Sequence, residues 1–361
     1  MLQLSAADAR RVAVAAQLLD DHRPAGIVET IYALTAVNID PAAAIAPSAD
    51  HILWSRLGWP YQHADLARAV EVDRDVFEWR GAYRVMSDLP LLRHEMAASP
   101  RYAEPREWLR ANETFRQDVL ARLRDEGPLR AAQIPDTAQV SWRSTGWTHS
   151  RNSSQMLEIL VANGEVAVSS RDAKGRVFDL AERVYPADLP DVDPADAVRE
   201  RVERRLGALG IARAKALVAA AEDIDPSTVG EEAVVDGVDG TWRVDAAALE
   251  RLDGFAPRTA LLSPMDALVF DRERLQAVFG YEYILEMYKP AAQRRWGYFA
   301  LPILHGDRFV GKLDAKTDLK AGVLRVNALH EDLPFDTATS DAVDAEIAEL
   351  ARWLGVEVVG R

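Results

Sequence analysis

Helical stretches followed by short β-hairpins are the main pattern in the first 255 residues of this 361-residue chain. The pattern is clearest where a helix predicted at 153–163 is followed by apolar residues that alternate with polar ones from Val166. A turn at 172–175 and a returning strand that ends at Leu180 complete a predicted hairpin. This order is typical of a winged helix, in which a β-wing follows a helix-turn-helix.

The rest of the chain divides by the same periodicities into a helical part and a β-rich part. Further helices are predicted at 5–20, 25–36, 48–57, 62–70, 74–97, 105–126, 194–208, 212–219, 226–234, 246–252 and 341–354. From residue 258, short apolar runs divided by Gly, Pro and Asp predict strands, with a hairpin turn at His305-Gly306-Asp307.

These elements predict an α+β fold class, with tandem winged-helix domains followed by a small C-terminal β-barrel. The fold is expected to have five parts. They are an N-terminal winged helix at 1–105, a second at 106–187, a third at 188–255, the β-barrel at 256–335 and a C-terminal helix at 336–361. A doubly wound parallel sheet would contradict this prediction.

The acidic balance of the chain bears on its partners. The net charge is −14, whereas proteins that bind nucleic acid are usually basic on the contact face. Residues 184–255 hold 16 acidic and 8 basic side chains, and residues 331–361 hold 8 acidic and 2 basic ones. Residues 286–325 hold 8 basic and 4 acidic side chains, so a basic face on an acidic protein is one interpretation. An ordinary solvated surface is the other.

Several classes of chemistry are excluded by what the sequence lacks. The chain has no cysteine, which rules out disulfides, zinc-thiolate sites and cysteine nucleophiles. No P-loop, dinucleotide loop, HExxH or GxSxG motif is present, so no metal or nucleotide cofactor is implied. Arg10 and Arg11 interrupt the N-terminal apolar stretch, and no run approaches the roughly 20 apolar residues of a membrane span. We expect a soluble, cytoplasmic and nucleoid-associated protein.

Three stretches are distinctive enough to compare with known families. They are AVNIDPAAAIAPSADHILWSRLG near the start, LARLRDEGPLRAAQI followed by LEILVANGEVAVSSRDAKGRVFDLAERVYP in the middle, and LLSPMDALVFDRERLQAVFGYEYILEMYKPAAQRRWGYFALPILHGDRFVGKLDAKTD late in the chain. Together they resemble the winged-helix family that contains the AlkZ and YcaQ DNA glycosylases. The resemblance implies a concave DNA-binding face and a monomeric DNA-repair enzyme with no membrane partner. Its implied substrate is double-stranded DNA that carries alkylated purines such as N7-alkylguanine, with interstrand crosslinks as an open alternative.

The resemblance also implies a catalytic motif at Asn38-Ile39-Asp40, where the glycosylases carry Gln-apolar-Gln or Gln-apolar-Asp. A cationic alkylpurine leaves readily, so the enzyme needs a carboxylate beside the oxocarbenium-like sugar and one oriented water. We expect Asp40 to supply the carboxylate, Asn38 to orient the water and Ile39 to anchor the segment in the core. The sequence departs from the family in Asn38 and in lacking a histidine near Ala82. From the residues alone, Asp40 could instead cap a helix that begins at Pro41.

Polar and basic side chains at four places are candidate DNA contacts, because hydroxyls, amides, cations and helix N-termini are common phosphate ligands. They are His51 and Arg56 after the motif, Thr148, His149, Ser150 and Arg151 before the helix at 153–163, Arg171, Lys174 and Arg176 on the predicted wing, and Arg294, Arg295 and Lys312 in the β-rich part. Three of these groups have a structural role as the alternative: a satisfied core histidine at His51, a polar loop with an N-cap before the helix at 153–163, and packing in the β-rich part.

Three functional hypotheses remain open at the level of sequence. The first is a monofunctional glycosylase for alkylated purines, which Asp40 favours. The second is a non-catalytic DNA-binding protein, such as a regulator or a lesion sensor, which Asn38 favours. The third is a protein-interaction role for the winged helices, with which the acidic segment 184–255 is compatible.

Overall fold

The computed structural model describes residues 1–143, 152–215 and 224–360. Its α-helices are α1 (Ala6–Ala16), α2 (Ile27–Leu34), α3 (Ser48–Leu57), α4 (His63–Glu71), α5 (Leu89–Ala97), α6 (Ala103–Ala111), α7 (Glu113–Glu126), α8 (Asn152–Ala162), α9 (Ala181–Val184), α10 (Pro194–Leu209), α11 (Ala246–Glu250), α12 (Ala267–Phe270), α13 (Arg272–Phe279) and α14 (Thr337–Leu354). Among these described residues, no helix is both long and apolar enough to cross a membrane.

The strands are short and are spread along the chain between the helices. They are β1 (Leu2–Leu4), β2 (Val37–Asn38), β3 (Val76–Trp79), β4 (Ala82–Val85), β5 (Leu129–Arg130), β6 (Val166–Asp172), β7 (Gly175–Leu180), β8 (Ile211–Arg213), β9 (Glu231–Val235), β10 (Val238–Val244), β11 (Thr259–Leu261), β12 (Leu301–His305), β13 (Arg308–Asp318), β14 (Val323–Glu331) and β15 (Glu357–Val359). The fold is therefore mixed α+β, as predicted.

The chain forms two compact units. The first unit contains Met1–Leu66 and Glu200–Arg361, and the second contains Ala67–Arg199. These two units are fewer than the five parts predicted from the sequence, and the boundaries of those five parts stay a prediction. The assignment of individual winged helices also stays a prediction.

The first unit has a core built around α1 and a four-stranded sheet of order β1-β9-β10-β8. Ser5 caps α1 through its side chain, which accepts from the Asp8 N–H at 3.1 Å, as its sequence position suggested. The buried face of α1 packs with Trp242 of β10. Gly210 lies against this helix with φ +71°, and a Cβ at that position would stand 2.6 Å from the Val12 carbonyl oxygen. Glycine is therefore required for both backbone conformation and space.

The first unit also contains a five-stranded sheet of order β11-β12-β13-β14-β15, which curls into a half-barrel. The predicted turn at His305-Gly306-Asp307 is confirmed, since β12 pairs with β13 across it. The sheet extends past the predicted boundary at 335, because β15 pairs in parallel with β14 after α14 has intervened. Alternation could not reveal this last strand, which is only three residues long.

The second unit has its own core, to which α5, α7, α8 and the sheet β5-β7-β6 contribute. The predicted hairpin at 166–180 is confirmed, with Arg171 opposite Arg176 and Asp172 opposite Gly175. We call β6, β7 and the turn between them the wing.

Three stretches that were predicted as helices contain strands instead, and the helix predicted at 105–126 is divided at Asn112 into α6 and α7. Residues 74–97 contain the β3–β4 hairpin before α5 begins, and its turn residues Arg80 and Gly81 have positive φ, as a two-residue type I′ turn requires. In the predicted helix at 212–219, residues 212 and 213 belong to β8, and residues 216–219 lie outside the described residues. In the predicted helix at 226–234, one 3-10 turn at Pro226–Thr228 precedes β9. Tertiary pairing with β1 and β10 overrides local helical propensity there.

Candidate active site and DNA-contact residues

The predicted motif lies where β2 ends and the chain enters an irregular loop before α3. We call residues 39–47 the motif loop. Ile39 is half-buried, so the predicted anchoring role belongs instead to Val37 and Ile45, which are 1% and 3% exposed. Asn38 and Asp40 are themselves half-buried, so both side chains have access to solvent.

Ser48, the first residue of α3, binds the motif backbone at two points. Its Oγ accepts a hydrogen bond from the Asp40 N–H at 2.7 Å and donates one to the Asn38 carbonyl oxygen at 3.0 Å. Ser48 is 2% exposed, so water does not compete freely for these backbone groups. One hydroxyl therefore fixes the backbone on both sides of Ile39.

The Asn38 and Asp40 side chains are each held at one polar atom. Asn38 Nδ2 donates to the Met265 carbonyl oxygen at 2.9 Å. Asp40 Oδ1 accepts from the Ala42 N–H at 2.8 Å, which closes a local Asx turn. The helix-cap interpretation of Asp40 is wrong, because no helix begins at Pro41 and α3 begins at Ser48.

Arg56 does not reach solvent. Its guanidinium forms a bidentate ion pair with Asp266, with Nη2 at 3.1 Å from Oδ1, and both side chains are 0% exposed. Its Nε donates to the Gln17 carbonyl oxygen at 3.0 Å. Asp266 also accepts from the Leu268 N–H at the start of α12. The predicted phosphate contact by Arg56 is therefore corrected to a structural ion pair.

His51 is likewise part of the core. The ring is 1% exposed, and its Nε2 lies 3.1 Å from the Leu261 carbonyl oxygen. Burial lowers the pKa of His51 to about 4, although the carbonyl contact opposes this shift. A neutral, enclosed imidazole cannot act as a phosphate ligand, so the structural alternative is the better interpretation of His51.

Lys312 lies in an aromatic cage rather than on the surface. Its ammonium is 4.3 Å from the centre of the Tyr281 ring and 4.5 Å from that of Trp296, and it pairs with Asp332 at 2.6 Å. Because Lys312 is 1% exposed, its predicted contact with DNA is wrong, and the side chain has a structural role in the core.

Arg294 and Arg295 remain candidates on the same segment. Arg294 is half-buried over the Tyr298 ring, and Arg295 is exposed beside Trp296. Buried Glu286 shapes this loop by accepting from the backbone N–H groups of Arg295 and Trp296, each at 2.7 Å. The two guanidiniums are thus presented from a loop with a fixed backbone.

The wing carries two arginines that form ion pairs and one exposed lysine. Arg171 and Arg176 pair with Glu78, which is 3% exposed, at 2.7 and 3.3 Å. Arg176 also pairs with Glu158 of α8. Lys174 lies exposed at the turn and takes part in no ion pair among the described residues. A polar cavity of about 870 Å³ between the wing and the start of α8 is lined by Arg130, Asp136, Ser153, Glu158, Lys174 and Arg176, among others.

We expect Lys174 to contribute more to the salt dependence of DNA binding than Arg171. Each phosphate that a free cation neutralises releases counterions from the DNA and steepens the slope of log K against log salt by about 0.9. A cation that is already paired with a carboxylate neutralises the phosphate less fully, so fewer counterions are released. Lys174→Ala should lower the magnitude of this slope by about 0.9, the value for one phosphate contact, with little effect on the free energy of unfolding. Arg171→Ala should lower stability more than the slope, because Glu78 loses a partner.

The measurement is DNA affinity at several salt concentrations, with urea unfolding of the same samples. Equal slopes for the wild type and Lys174→Ala would contradict the assignment. A large slope change in Arg171→Ala at unchanged stability would show that the ion pair opens on DNA.

Thr148, His149, Ser150 and Arg151 lie outside the described residues and stay predictions. Three groups at the site were missed by sequence reasoning: the Ser48 hydroxyl, the Met265 carbonyl and the Asp266 carboxylate. Each lies inside a stretch that carried the family resemblance, which was their one available signal. The pairing of Met265 with Asn38 and of Asp266 with Arg56 could not be inferred from spacing, because these partners are more than 200 residues apart in the chain. Ser48 is near the motif in the chain, but it is the first residue of a helix, where a serine hydroxyl commonly caps its own helix.

Comparison with solved structures identifies the class of protein that shares this fold. The chain matches the Streptomyces sahachiroi DNA glycosylase AlkZ with a TM-score of 0.65 at 17% sequence identity. The match covers 99% of this chain and 100% of that one. At this level of identity the likeness concerns the fold, which is that of a DNA glycosylase.

Comparison of the sequence with family models gives the family. The model described as DNA glycosylase AlkZ-like matches residues 31–353. The chain belongs to the AlkZ-like DNA glycosylase family. Membership makes it a protein of DNA repair with DNA as its partner, and the resemblance seen in the sequence is confirmed.

Proposed function

We propose that the protein is a monofunctional glycosylase that hydrolyses the N-glycosidic bond of alkylated purines, such as N7-alkylguanine, in duplex DNA. It would act as a monomer at the nucleoid. The observation that carries this proposal is the arrangement of Asn38 and Asp40, each held at one polar atom on a backbone fixed by Ser48. The family membership supports the glycosylase class, and the residues supply the chemistry.

The held atoms determine what each side chain offers a substrate. Asn38 Nδ2 donates to the Met265 carbonyl oxygen, so Asn38 Oδ1 is the atom that can accept a hydrogen bond from water. Asp40 uses Oδ1 in its turn, so Oδ2 is the oxygen that can accept a second one. Two acceptors can bind the two protons of a single water and direct its lone pair at C1′.

The reaction then balances without a cofactor or a general acid. The C1′–N bond breaks, and its electron pair neutralises the cationic base as it leaves. The Asp40 carboxylate stabilises the developing positive charge on the sugar. Water forms the new C1′–O bond and transfers its proton to Asp40. The stretch 37–48 contains no lysine, so it offers no amine for a covalent sugar intermediate, which supports a monofunctional mechanism.

A non-catalytic DNA-binding protein is the second candidate, and the shorter Asn38 is the observation that favours it. The two candidates separate in single-turnover excision from a duplex that contains N7-methylguanine, with unmodified and crosslinked duplexes assayed in parallel. A monofunctional enzyme leaves an intact strand with an abasic site. Strand cleavage before alkali treatment would contradict that part of the proposal.

We expect Asn38→Gln to excise at least as fast as the wild type. Glutamine restores the family's Gln-apolar-Asp motif. Its side-chain amide keeps an N–H group that can donate to the Met265 carbonyl oxygen, as Asn38 does. Asn38→Leu is the matched control, since it removes the amide at similar volume and should slow excision. Excision by Asn38→Gln with none by the wild type would identify the natural chain as a binder that has lost turnover.

A further inference from the structure

We infer that Ser48 is a positioning residue that sets the geometry of Asn38 and Asp40 for base excision. This inference rests on the proposed function. The hydroxyl of Ser48 contacts the backbone on both sides of Ile39, at 2.7 Å from Asp40 N and 3.0 Å from Asn38 O. It is the one group among the described residues that binds both halves of the motif.

The local sequence explains why this hydroxyl is available. A serine at a helix start commonly caps its own helix, but Ser48 is already the first helical residue of α3. The N-cap position is Pro47, which makes no side-chain cap. The hydroxyl of Ser48 therefore turns away from its own helix and binds the motif.

The far end of α3 is tied to the same site by a second route. Arg56 pairs with Asp266, and the residue before Asp266 is Met265, whose carbonyl oxygen holds the Asn38 amide. A helix rises about 1.5 Å per residue, so Ser48 and Arg56 stand roughly 12 Å apart on one rigid element. The helix thus fixes both the motif backbone and the acceptor that orients the Asn38 side chain.

The middle of the motif loop is held by a hydrogen bond between its backbone and that of β13. The Thr317 N–H of β13 donates to the Ala44 carbonyl oxygen at 2.9 Å. This contact holds the middle of the loop but touches neither candidate catalytic residue. Loss of the Ser48 hydroxyl would therefore release the motif residues while the rest of the loop stays attached.

The first test measures the contact itself and does not depend on activity. Hydrogen exchange at the Asp40 amide should be slow in the wild type and about 10-fold or more faster in Ser48→Ala. Ser48→Thr, which keeps the hydroxyl, should restore the protection. Equal exchange in the wild type and Ser48→Ala would overturn the inference.

The second test is single-turnover excision from the N7-methylguanine duplex at saturating enzyme. Ser48→Ala should lower the rate by about 10-fold or more while the Kd for DNA stays within about 2-fold, and Ser48→Thr should recover the rate. Thr30→Val is the matched control, since it removes another fully buried hydroxyl of the first unit, which donates to Gly26 O. That control should excise at the wild-type rate.

Coupling separates positioning from general destabilisation. If Ser48 acts partly through Asn38, Ser48→Ala should cost less in an Asn38→Ala background than alone. Should Ser48→Ala fail to fold, Ser48→Cys, whose thiol is a weak donor and acceptor, replaces it in the same measurements. A folded variant with lost amide protection and an undiminished rate overturns the positioning role. A wild type that excises nothing defeats the proposed function, while the exchange measurement still reports whether the contact exists.

Discussion

Asp40→Ala should lose most base release and keep DNA binding. Loss of a positioned carboxylate commonly costs on the order of 10²–10⁴ in rate. Asp40 offers a full negative charge beside the developing oxocarbenium, whereas Asn38 offers a hydrogen bond alone. The loss should therefore exceed that of any substitution at Asn38. DNA binding should persist because it rests on distributed phosphate contacts.

Asp40→Asn distinguishes the effect of the Asp40 negative charge from the effect of the hydrogen bond that closes its turn. Asparagine keeps an oxygen that can accept from the Ala42 N–H, so the motif loop is preserved while the charge is removed. Asp225→Ala is the matched control, because Asp225 accepts from the backbone N–H two residues later at 2.9 Å, in the same kind of turn. Single-turnover excision and DNA affinity are the measurements. Wild-type excision by Asp40→Ala would remove Asp40 from the mechanism.

Arg56→Met should destabilise the protein by about 3–5 kcal/mol, because it leaves the Asp266 carboxylate buried without its countercharge. Urea unfolding measures this directly. Pairing the change with Asp266→Asn should recover part of the loss, since no buried charge then remains. Arg68→Met is the control, because Arg68 pairs with Asp73 on the surface and such pairs contribute about 0–1 kcal/mol.

The same variant tests the sequence-based hypothesis that Arg56 contacts phosphate. A phosphate contact would appear as a flatter salt dependence of DNA binding in Arg56→Met, at nearly unchanged stability. The buried ion pair predicts the reverse. A stable Arg56→Met protein with a reduced salt slope would restore Arg56 to the DNA interface.

Local patterns predicted those parts of the fold whose signal is local. The β6–β7 hairpin followed from alternating side chains and a polar turn, and the hairpin is confirmed. Its assignment to a winged helix stays a prediction. The β3–β4 hairpin was missed because all of its strand residues are buried, so its sequence VFEWRGAYRV shows no alternation. Its turn, Arg80-Gly81, is recognisable once a two-residue connection with positive φ is considered.

At the candidate site, the position of the motif rests on the resemblance and stays a prediction, whereas residue type alone led to a wrong role for Arg56, His51 and Lys312. Arg56 and His51 have their partners 210 residues away, at Asp266 and Leu261. Lys312 has its partner on the neighbouring strand region, at Asp332. The residue type of an arginine or lysine does not show whether its side chain is paired in a core or exposed and able to contact a phosphate. Burial and pairing are tertiary properties, and the sequence carries no local sign of them.

The pairing of the wing arginines with Glu78 also affects the entropy of binding. Ordering a free, rotamer-rich side chain at an interface costs about 0.5–1.5 kcal/mol. Arg171 and Arg176 have already lost that freedom when the chain folds, since Glu78 and Glu158 hold them. At these two arginines the wing therefore presents a surface whose side chains are already ordered before a partner binds, whereas the exposed Lys174 still loses its rotamer freedom on binding.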